Sequence, residues 1–480
     1  MTKLTQDLIT TYAQSDGLAL AALVRTGQVS ASELVEAAVT IIDRFNPQLN
    51  AVVHKLYDMA RAAAPEVDRN APFAGVPYLL KEIGSTWTGA PLTNASAWMR
   101  KVVASEDSEL VRRIKAAGFL LVGKSNSPEF GWCISTEPKL YGPTLSPWRN
   151  DVTSGGSSGG AAAAVAARMV PLADASDGAG SIRVPASCCG IVGLKPSRGR
   201  ITMSPTGDLW HGCAYILCVA RTVRDVAAYL DAVAGGLPGD PYPAAIPQTG
   251  WLTSSARVPS RLRVGFSVKP PDGNPIHFEA EAAVRKTAVM LERLGHDVEE
   301  HDMALDIATA WPVYTRMTCV QTARLVDELE SLVGAPMARN DVEPVTWAVV
   351  ERGRSVSGVR HSADIEAIRV LSRAIAGDLA AYDVFLTPTL TQPPRPLGYL
   401  DMSEPDIDRY NAKWTDAVFM FPFNISGQPA MSLPLHWSQD GLPIGVQLVG
   451  RHGDEAGLLS VANVLEQEMP WRDRKPPVSG

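Results

Sequence analysis

The sequence predicts an α/β fold, and three observations lead to it. Apolar residues at helical spacing dominate the N-terminal part. Two short apolar runs, residues 73–80 and 119–122, have the character of strands that lead into Lys81 and Lys124. A central segment, residues 142–199, alternates Gly/Ser loops with one Ala-rich helix and another strand.

Taken in order, Ser30 and Glu33 stand at capping-box spacing. Leu34, Val35, Ala38, Val39, Ile42 and Phe45 follow at helical intervals up to Pro47, which is expected to stop the helix. This helical part extends to about residue 70. The run 73–80, interrupted by Gly75 and Pro77, and the run 119–122 each carry a lysine just past a strand end, where α/β folds tend to place their sites. Residues 159–175 suggest a buried helix running into a strand near 169–175. They are mostly alanine but contain Arg168, Pro171 and Asp174, and fall short of the roughly 20 apolar residues a membrane span needs. The Pro/Gly-rich residues 235–250 suggest an exposed loop or subdomain boundary, opening a variable subdomain over about 235–380. Beyond it, 261–266 is expected to be a strand, 279–294 a helix ending at Gly295, and 384–386 and 444–449 buried strands. No internal repeat or low-complexity tail is visible.

Composition excludes several function classes. The 480 residues carry 44 basic and 51 acidic side chains, a net charge of -7, without any block of like charge. That leaves no electrostatic footprint for nucleic acid or an anionic membrane. Residues 1–17 are polar with no apolar stretch after a basic start, so no secretory signal is visible and a cytoplasmic location is expected. Cys133, Cys188, Cys189, Cys213, Cys218 and Cys319 show no C-x-x-C spacing and are expected to be buried free thiols. No metal-ligand set is evident, so neither metal nor cofactor is expected.

Residues 142–199 hold ten of the 39 glycines together with eight serines. Two stretches stand out: Gly155-Gly156-Ser157-Ser158-Gly159-Gly160, and Ser176-Asp177-Gly178-Ala179-Gly180-Ser181-Ile182-Arg183. Glycines that open a helix could aim N–H groups at a phosphate, but the P-loop lysine and hydroxyl are missing after Gly160 and no G-x-G-x-x-G is present. Residues 155–159 satisfy G-x-S-x-G, yet a nucleophile elbow needs a strand immediately before the serine, and 150–154 make a poor one. His436 and His452 lack supporting context as triad bases.

A third chemistry pairs serine with lysine. A serine hydroxyl needs a base to become a nucleophile, and a lysine kept neutral by burial can serve. Only 12 of the 44 basic residues are Lys, so Lys81 at a strand end draws notice. Gly178-Ala179-Gly180 has almost no side-chain bulk, so its backbone N–H groups can approach a developing oxyanion. Singly, Ser157 and Ser181 would be loop caps and Lys81 a surface charge; the combination favours a catalytic set.

At these residues the chain resembles the amidase signature family of serine hydrolases. The likeness runs in one order through residues 75–81, 123–130, the two central stretches, 193–197, 422–429 and 442–447. It implies one catalytic domain over 1–480, rather than the roughly three that length alone suggests. The fold implied is a large mixed β-sheet core covered by helices on both faces. The resemblance further implies a Ser-Ser-Lys triad, with Ser181 the acyl-forming nucleophile, Ser157 the bridging serine after a cis peptide bond, and Lys81 the base. The family's spacing of 24 residues selects Ser157 over Ser158. An oxyanion hole of the Gly178, Ala179, Gly180 and Ser181 N–H groups is implied, with Asp177 and Arg183 orienting the loop. Gly131 and Trp132 fall where the family sets groups beside the scissile bond.

Two departures matter: Ala179 stands where the family usually has Gly, and Glu82 where it usually has Asp. Ala179, with Val76-Pro77-Tyr78-Leu79-Leu80-Lys81 and Ser135-Thr136-Glu137-Pro138, resembles the lactam-opening subgroup that acts on nylon oligomers. The expected substrate is a small xenobiotic-type amide, lactam, anilide or carbamate, the last making it a urethanase. Cys319, Trp347 and Trp414 are candidate pocket residues. The expected state is a monomer or homodimer without nucleic-acid or membrane partners. The alternative is a glutamine amidotransferase-type subunit working with partner chains, against which the acidic balance and Ala179 argue. A degenerate binding protein is disfavoured because Lys81, Ser157 and Ser181 are all present.

Overall fold

The computed structural model describes residues 5–480, so the first four residues of the polar N-terminal segment lie outside the described residues. Among the described residues eleven strands are present: β1 (Val52–Lys55), β2 (Pro77–Lys81), β3 (Leu120–Ser125), β4 (Leu172–Asp177), β5 (Val192–Lys195), β6 (Tyr215–Ala220), β7 (Arg263–Phe266), β8 (Asp297–Glu300), β9 (Val384–Pro388), β10 (Ala430–Trp437) and β11 (Pro443–Gly450). They form one sheet in the order β1-β3-β2-β4-β6-β5-β10-β11-β9-β7-β8. The pairs β3–β2, β2–β4, β9–β7 and β7–β8 are parallel and the rest antiparallel. This is the expected α/β class with a mixed sheet, wrapped by sixteen α-helices among the described residues. β2, β3, β5, β9 and β11 are buried along their whole length, which is why they lack in-out alternation.

The N-terminal helix begins as expected. The Ser30 hydroxyl accepts the Glu33 N–H at 3.2 Å, and the Glu33 carboxylate accepts the Ser30 N–H at 2.8 Å. Pro47, however, does not stop it. The helix Ala31–Leu49 runs through the proline and ends at Asn50 in the left-handed region, φ 50. A proline in the last turn removes a single hydrogen bond, too little to break a helix whose apolar face is packed. The N-terminal part is also not wholly helical, since β1 follows at the sheet edge against β3.

The stretch 159–175 resolves into the helix Gly159–Ala166 and β4. Lys81 is the last residue of β2 rather than one past it, and Lys124 lies inside β3. Residues 235–250 form a loop without regular structure. After that loop, β7 and β8 join the main sheet beyond β9, so part of the variable region belongs to the sheet. The helices Ile307–Val333, Pro344–Ser355 and Gly358–Asp378 instead help build a second hydrophobic core with Phe130, Trp132, Tyr314, Phe421 and Phe423. All six cysteines are buried and free. Among the described residues no helix is long and apolar enough to cross a membrane.

Candidate active site

The site is built where β2 and β4 run side by side, with Leu79 opposite Ala173. Period-2 alternation puts Asp174 and Ser176 on one face of β4. The Lys81 N–H donates to Asp174 Oδ2 at 3.2 Å, and Lys81 Nζ lies 2.9 Å from Ser176 Oγ and 2.7 Å from Ser157 Oγ. Lys81 is fully buried. Burial favours the neutral amine and lowers its pKa to about 7, against the opposing pull of Asp174 and Asp177. Burial likewise raises Asp174 to about 7, and its Oδ1 has no hydrogen-bond partner.

Ser157 follows a cis peptide bond from Gly156. Glycine is required there because a Cβ would lie 2.7–2.8 Å from the Cys133 carbonyl and the Ser135 backbone. The Thr136 hydroxyl holds the turn, donating to the Gly155 carbonyl at 2.8 Å and accepting the Gly159 N–H at 3.2 Å. Ser158 points elsewhere, its hydroxyl meeting the Ser176 backbone at 3.4 Å. Of the two adjacent serines, therefore, Ser157 meets the lysine.

The loop after β4 is tied by a buried polar network. Arg183 grips Asp177 through Nε–Oδ2 and an Nη2–Oδ1 contact, both 2.9 Å. Its remaining donors reach the Met420 carbonyl (3.1 Å), Gln447 Oε1 (2.7 Å) and Asn424 Oδ1 (2.6 Å). The Asn424 amide returns to Asp177 Oδ1 at 2.9 Å. Burial alone would raise the Asp177 carboxyl, but the Arg183 guanidinium and the Asn424 amide outweigh it and hold the group well below the usual carboxylate range.

This network revises the anion-hole expectation. The Gly180 N–H donates to Asp177 Oδ1 at 2.7 Å, so it is not available to an oxyanion. A carboxylate closing a tight turn on its own backbone takes that donor first. Among the described residues, the N–H groups of Gly178, Ala179 and Ser181 make no hydrogen bond to the protein. Gly178 has a different reason to be glycine: a Cβ would sit 2.2 Å from Trp210 Cζ3. The Tyr314 hydroxyl donates to the Gly178 carbonyl.

Ser157, Ser181, Gly131, Trp132 and Trp414 all line one open cavity of about 1040 Å³. A Cβ on Gly131 would come 3.4 Å from Ser157 Oγ, so that residue borders the serine directly. Cys319 and Trp347 do not line it. The stripe that the helix Ile307–Val333 turns to the cavity is Trp311, Thr315, Thr318 and Thr322. Cys319, one residue along, is buried in the second core, and its backbone carbonyl lies so close to Gly353 of the next helix that a Cβ there would come within 2.2 Å of it. Trp347, on the helix Pro344–Ser355, packs in the second core. Glu82, the second departure, is buried with its carboxylate 3.3 Å from Lys124 Nζ and 3.4 Å from His54 Nε2, and accepts from Thr93. Burial opposes its ionisation, but these partners hold its pKa below the ordinary value.

Sequence reasoning missed Ser176, Tyr314, Trp210 and the part played by Asn424 and Gln447. Ser176 was accessible from strand alternation once Lys81 was placed on the neighbouring strand. The others come from distant segments and left no local signal.

Comparison with known proteins identifies the family. The family model described as Amidase matches residues 33–459. The chain is 39% identical over 475 residues to 6-aminohexanoate-cyclic-dimer hydrolase of Paenarthrobacter ureafaciens, covering 96% of each chain. A solved structure of 6-aminohexanoate cyclic dimer hydrolase complexed with substrate matches with a TM-score of 0.93 at 37% identity, covering 98% of this chain and 100% of that one. A bacterial aryl acylamidase of the amidase signature family matches with a TM-score of 0.86 at 26% identity, covering 95% and 96%. With the family model spanning most of its length and relatives matched end to end, the chain belongs to the amidase signature family and is an amide C–N hydrolase.

Proposed function

We propose that the chain, acting as one catalytic domain, hydrolyses a small uncharged amide, lactam, anilide or carbamate through Ser181, Ser157 and Lys81. The observation that carries this is the buried Lys81 amine, lowered to about 7, at 2.7 Å from Ser157 Oγ. Neutral Lys81 takes a proton from Ser157, Ser157 takes one from Ser181, and Ser181 Oγ attacks the carbonyl. In the resting geometry Ser181 Oγ makes no hydrogen bond to the protein among the described residues, and the link to Ser157 closes when substrate seats, as catalytic hydrogen bonds often do. The oxyanion takes the N–H groups of Ala179 and Ser181, with Gly178 beside them; one such donor is worth about 3 kcal/mol. The proton returns through Ser157 to the leaving nitrogen, and water then hydrolyses the Ser181 ester.

Substrate class follows from the cavity wall. Its one charged residue among the described residues is Asp177, whose carboxylate is engaged by Arg183, Asn424 and Gly180. Trp132, Trp210, Trp311, Tyr314 and Trp414 supply the rest of the character. Such a wall suits uncharged acyl and amine groups and offers no partner to the ammonium and carboxylate of glutamine. A screen of anilides, lactams, linear amides and carbamates, with intact-mass detection of the acyl adduct, tests the reading. Wild type should trap an adduct that Ser181→Ala does not; turnover surviving in Ser181→Ala would overturn it.

A further inference from the structure

Two buried lysines stand on neighbouring strands, and their surroundings differ. On β3, Lys124 Nζ lies 3.3 Å from the Glu82 carboxylate and donates to the Pro91 carbonyl at 2.6 Å, so its charge is held in contact. On β2, the Lys81 amine meets the Ser157 and Ser176 hydroxyls, and among the described residues it joins no salt bridge. The carboxyl next in line is Asp174. It is fully buried, accepts the Lys81 N–H at 3.2 Å through Oδ2, and its Oδ1 accepts nothing. It stands two residues before Ser176 on the same face of β4, about 7 Å along the strand from the side chain that touches the amine.

The other groups around this carboxyl leave it to Lys81. Asp177, the second carboxylate that acts on the amine, is engaged by Arg183, Asn424 and Gly180. Lys124, the second cation that acts on Asp174, is paired with Glu82. Cys218 of β6 pairs directly with Asp174 across the ladder, and Tyr78 of β2 shares a hydrogen bond of 2.8 Å with Tyr229 of the helix Val223–Val233. Burial pushes all three well above their ordinary pKa, so they stay neutral. The helix Gly159–Ala166, packed on β4, has no titratable side chain.

Burial acting alone would make the Lys81 amine too weak a base to hold the Ser157 proton, whereas a carboxylate in contact, as at Lys124, would lock it as ammonium. We propose that Asp174 is a positioning residue for the reaction, a carboxyl set near the Lys81 amine without touching it, which restores enough basicity for that amine to serve as the base at neutral pH. This deepens the function proposed above and rests on it. The sign follows from attraction: a carboxylate nearby favours proton uptake by Lys81, so removing it lowers the pH at which uptake occurs. Burial raises the pKa of Asp174 itself to about 7, so the carboxyl is only partly ionised where Lys81 titrates. The displacement expected on removing it is therefore about one pH unit.

The test reads the rate at which a fluorophosphonate probe labels Ser181. In that step the Oγ–phosphorus bond forms, the phosphorus–fluorine bond breaks, and the serine proton passes through Ser157 to Lys81. Rates are recorded from about pH 4 to about pH 9 for wild type, Lys81→Ala, Asp174→Asn and Asp174→Ala. Both Asp174 variants should place the midpoint of the acid limb about one pH unit below that of wild type. A merely structural role would lower the rate at every pH and leave the midpoint where it is; that outcome, or a midpoint moved upward, overturns the proposal. With Oδ1 unpartnered, either variant loses little hydrogen bonding, and Asp174→Ala serves if the asparagine amide disturbs the strand. Lys81→Ala tells the two proposals apart. If it labels at the wild-type rate with the same acid limb, Lys81 is not the base and the proposed function fails. A limb that vanishes in Lys81→Ala yet keeps its midpoint in both Asp174 variants rejects the role of Asp174 alone.

Discussion

The Asp177 carboxylate receives the Gly180 N–H at 2.7 Å while gripping Arg183, so one side chain fixes the turn on which Ser181 stands. Asp177→Ala leaves a fully buried guanidinium without its counter-charge. The expected cost is about 3–5 kcal/mol of stability, measured by denaturant unfolding, together with loss of turnover. Asn424→Ala removes one neutral partner and should cost less, about 1–3 kcal/mol. Equal effects of the two would mean that the ion pair is not the organising element.

Lys81 sets the pH response. Its amine is neutral above a pKa of about 7, and in the proposed mechanism the neutral form is the base. Activity should therefore fall about tenfold per pH unit below pH 7 and level off above it, in kcat/KM recorded across pH 5–9. Lys81→Ala should lose about 10²–10⁴-fold at neutral pH and lose this acid limb. An acid limb that persists in the variant would assign it to another group.

Ser176 accepts from Lys81 Nζ at 2.9 Å and so stabilises the charged amine. Removing that hydroxyl favours the neutral form. In Ser176→Ala the midpoint of the acid limb should move to lower pH, by up to about one unit. Movement in the opposite direction would show that the hydroxyl acts in another way.

Ala179 lines the catalytic cavity two residues from Ser181 and is not among the residues at positive φ, so a larger side chain meets the cavity before it meets backbone strain. Ala179→Val should lower kcat/KM for long acyl chains by about tenfold relative to acetyl amides, and Ala179→Gly should relax the discrimination. The readout is the ratio of hexananilide to acetanilide turnover for each variant; a ratio that stays constant across all three side chains would remove Ala179 from specificity.

Much of this was legible in the sequence because it is local. The capping box at Ser30, the buried helix running into β4, and the cluster around Ser157 and Ser181 each declare themselves within a few residues. The strands β1, β5, β6, β8 and β10 did not. Four of them are too short or lack the flanking turns that mark a strand, and β10 owes its conformation to pairing with β5 and β11. The same limit explains the Gly180 donor and the placing of Cys319. Small residues suggested an open anion hole, but whether an N–H is free depends on where a carboxylate folds back. A one-residue step along a helix turns a side chain by about 100°, so membership of a variable stretch does not make it a wall.

The partners of Arg183 also bear on how the enzyme is made. Asn424 and Gln447 lie 241 and 264 residues away in sequence, and β10 enters the sheet between β5 and β11. During synthesis Lys81, Ser157 and Ser181 leave the ribosome long before the groups that hold their loop. Contacts of such range are formed late and slowly. In the proposed mechanism, therefore, the turn that bears Ser181 gains its Asn424 and Gln447 ties only after the C-terminal strands are made, and hydrolytic competence is expected as a property of the finished polypeptide.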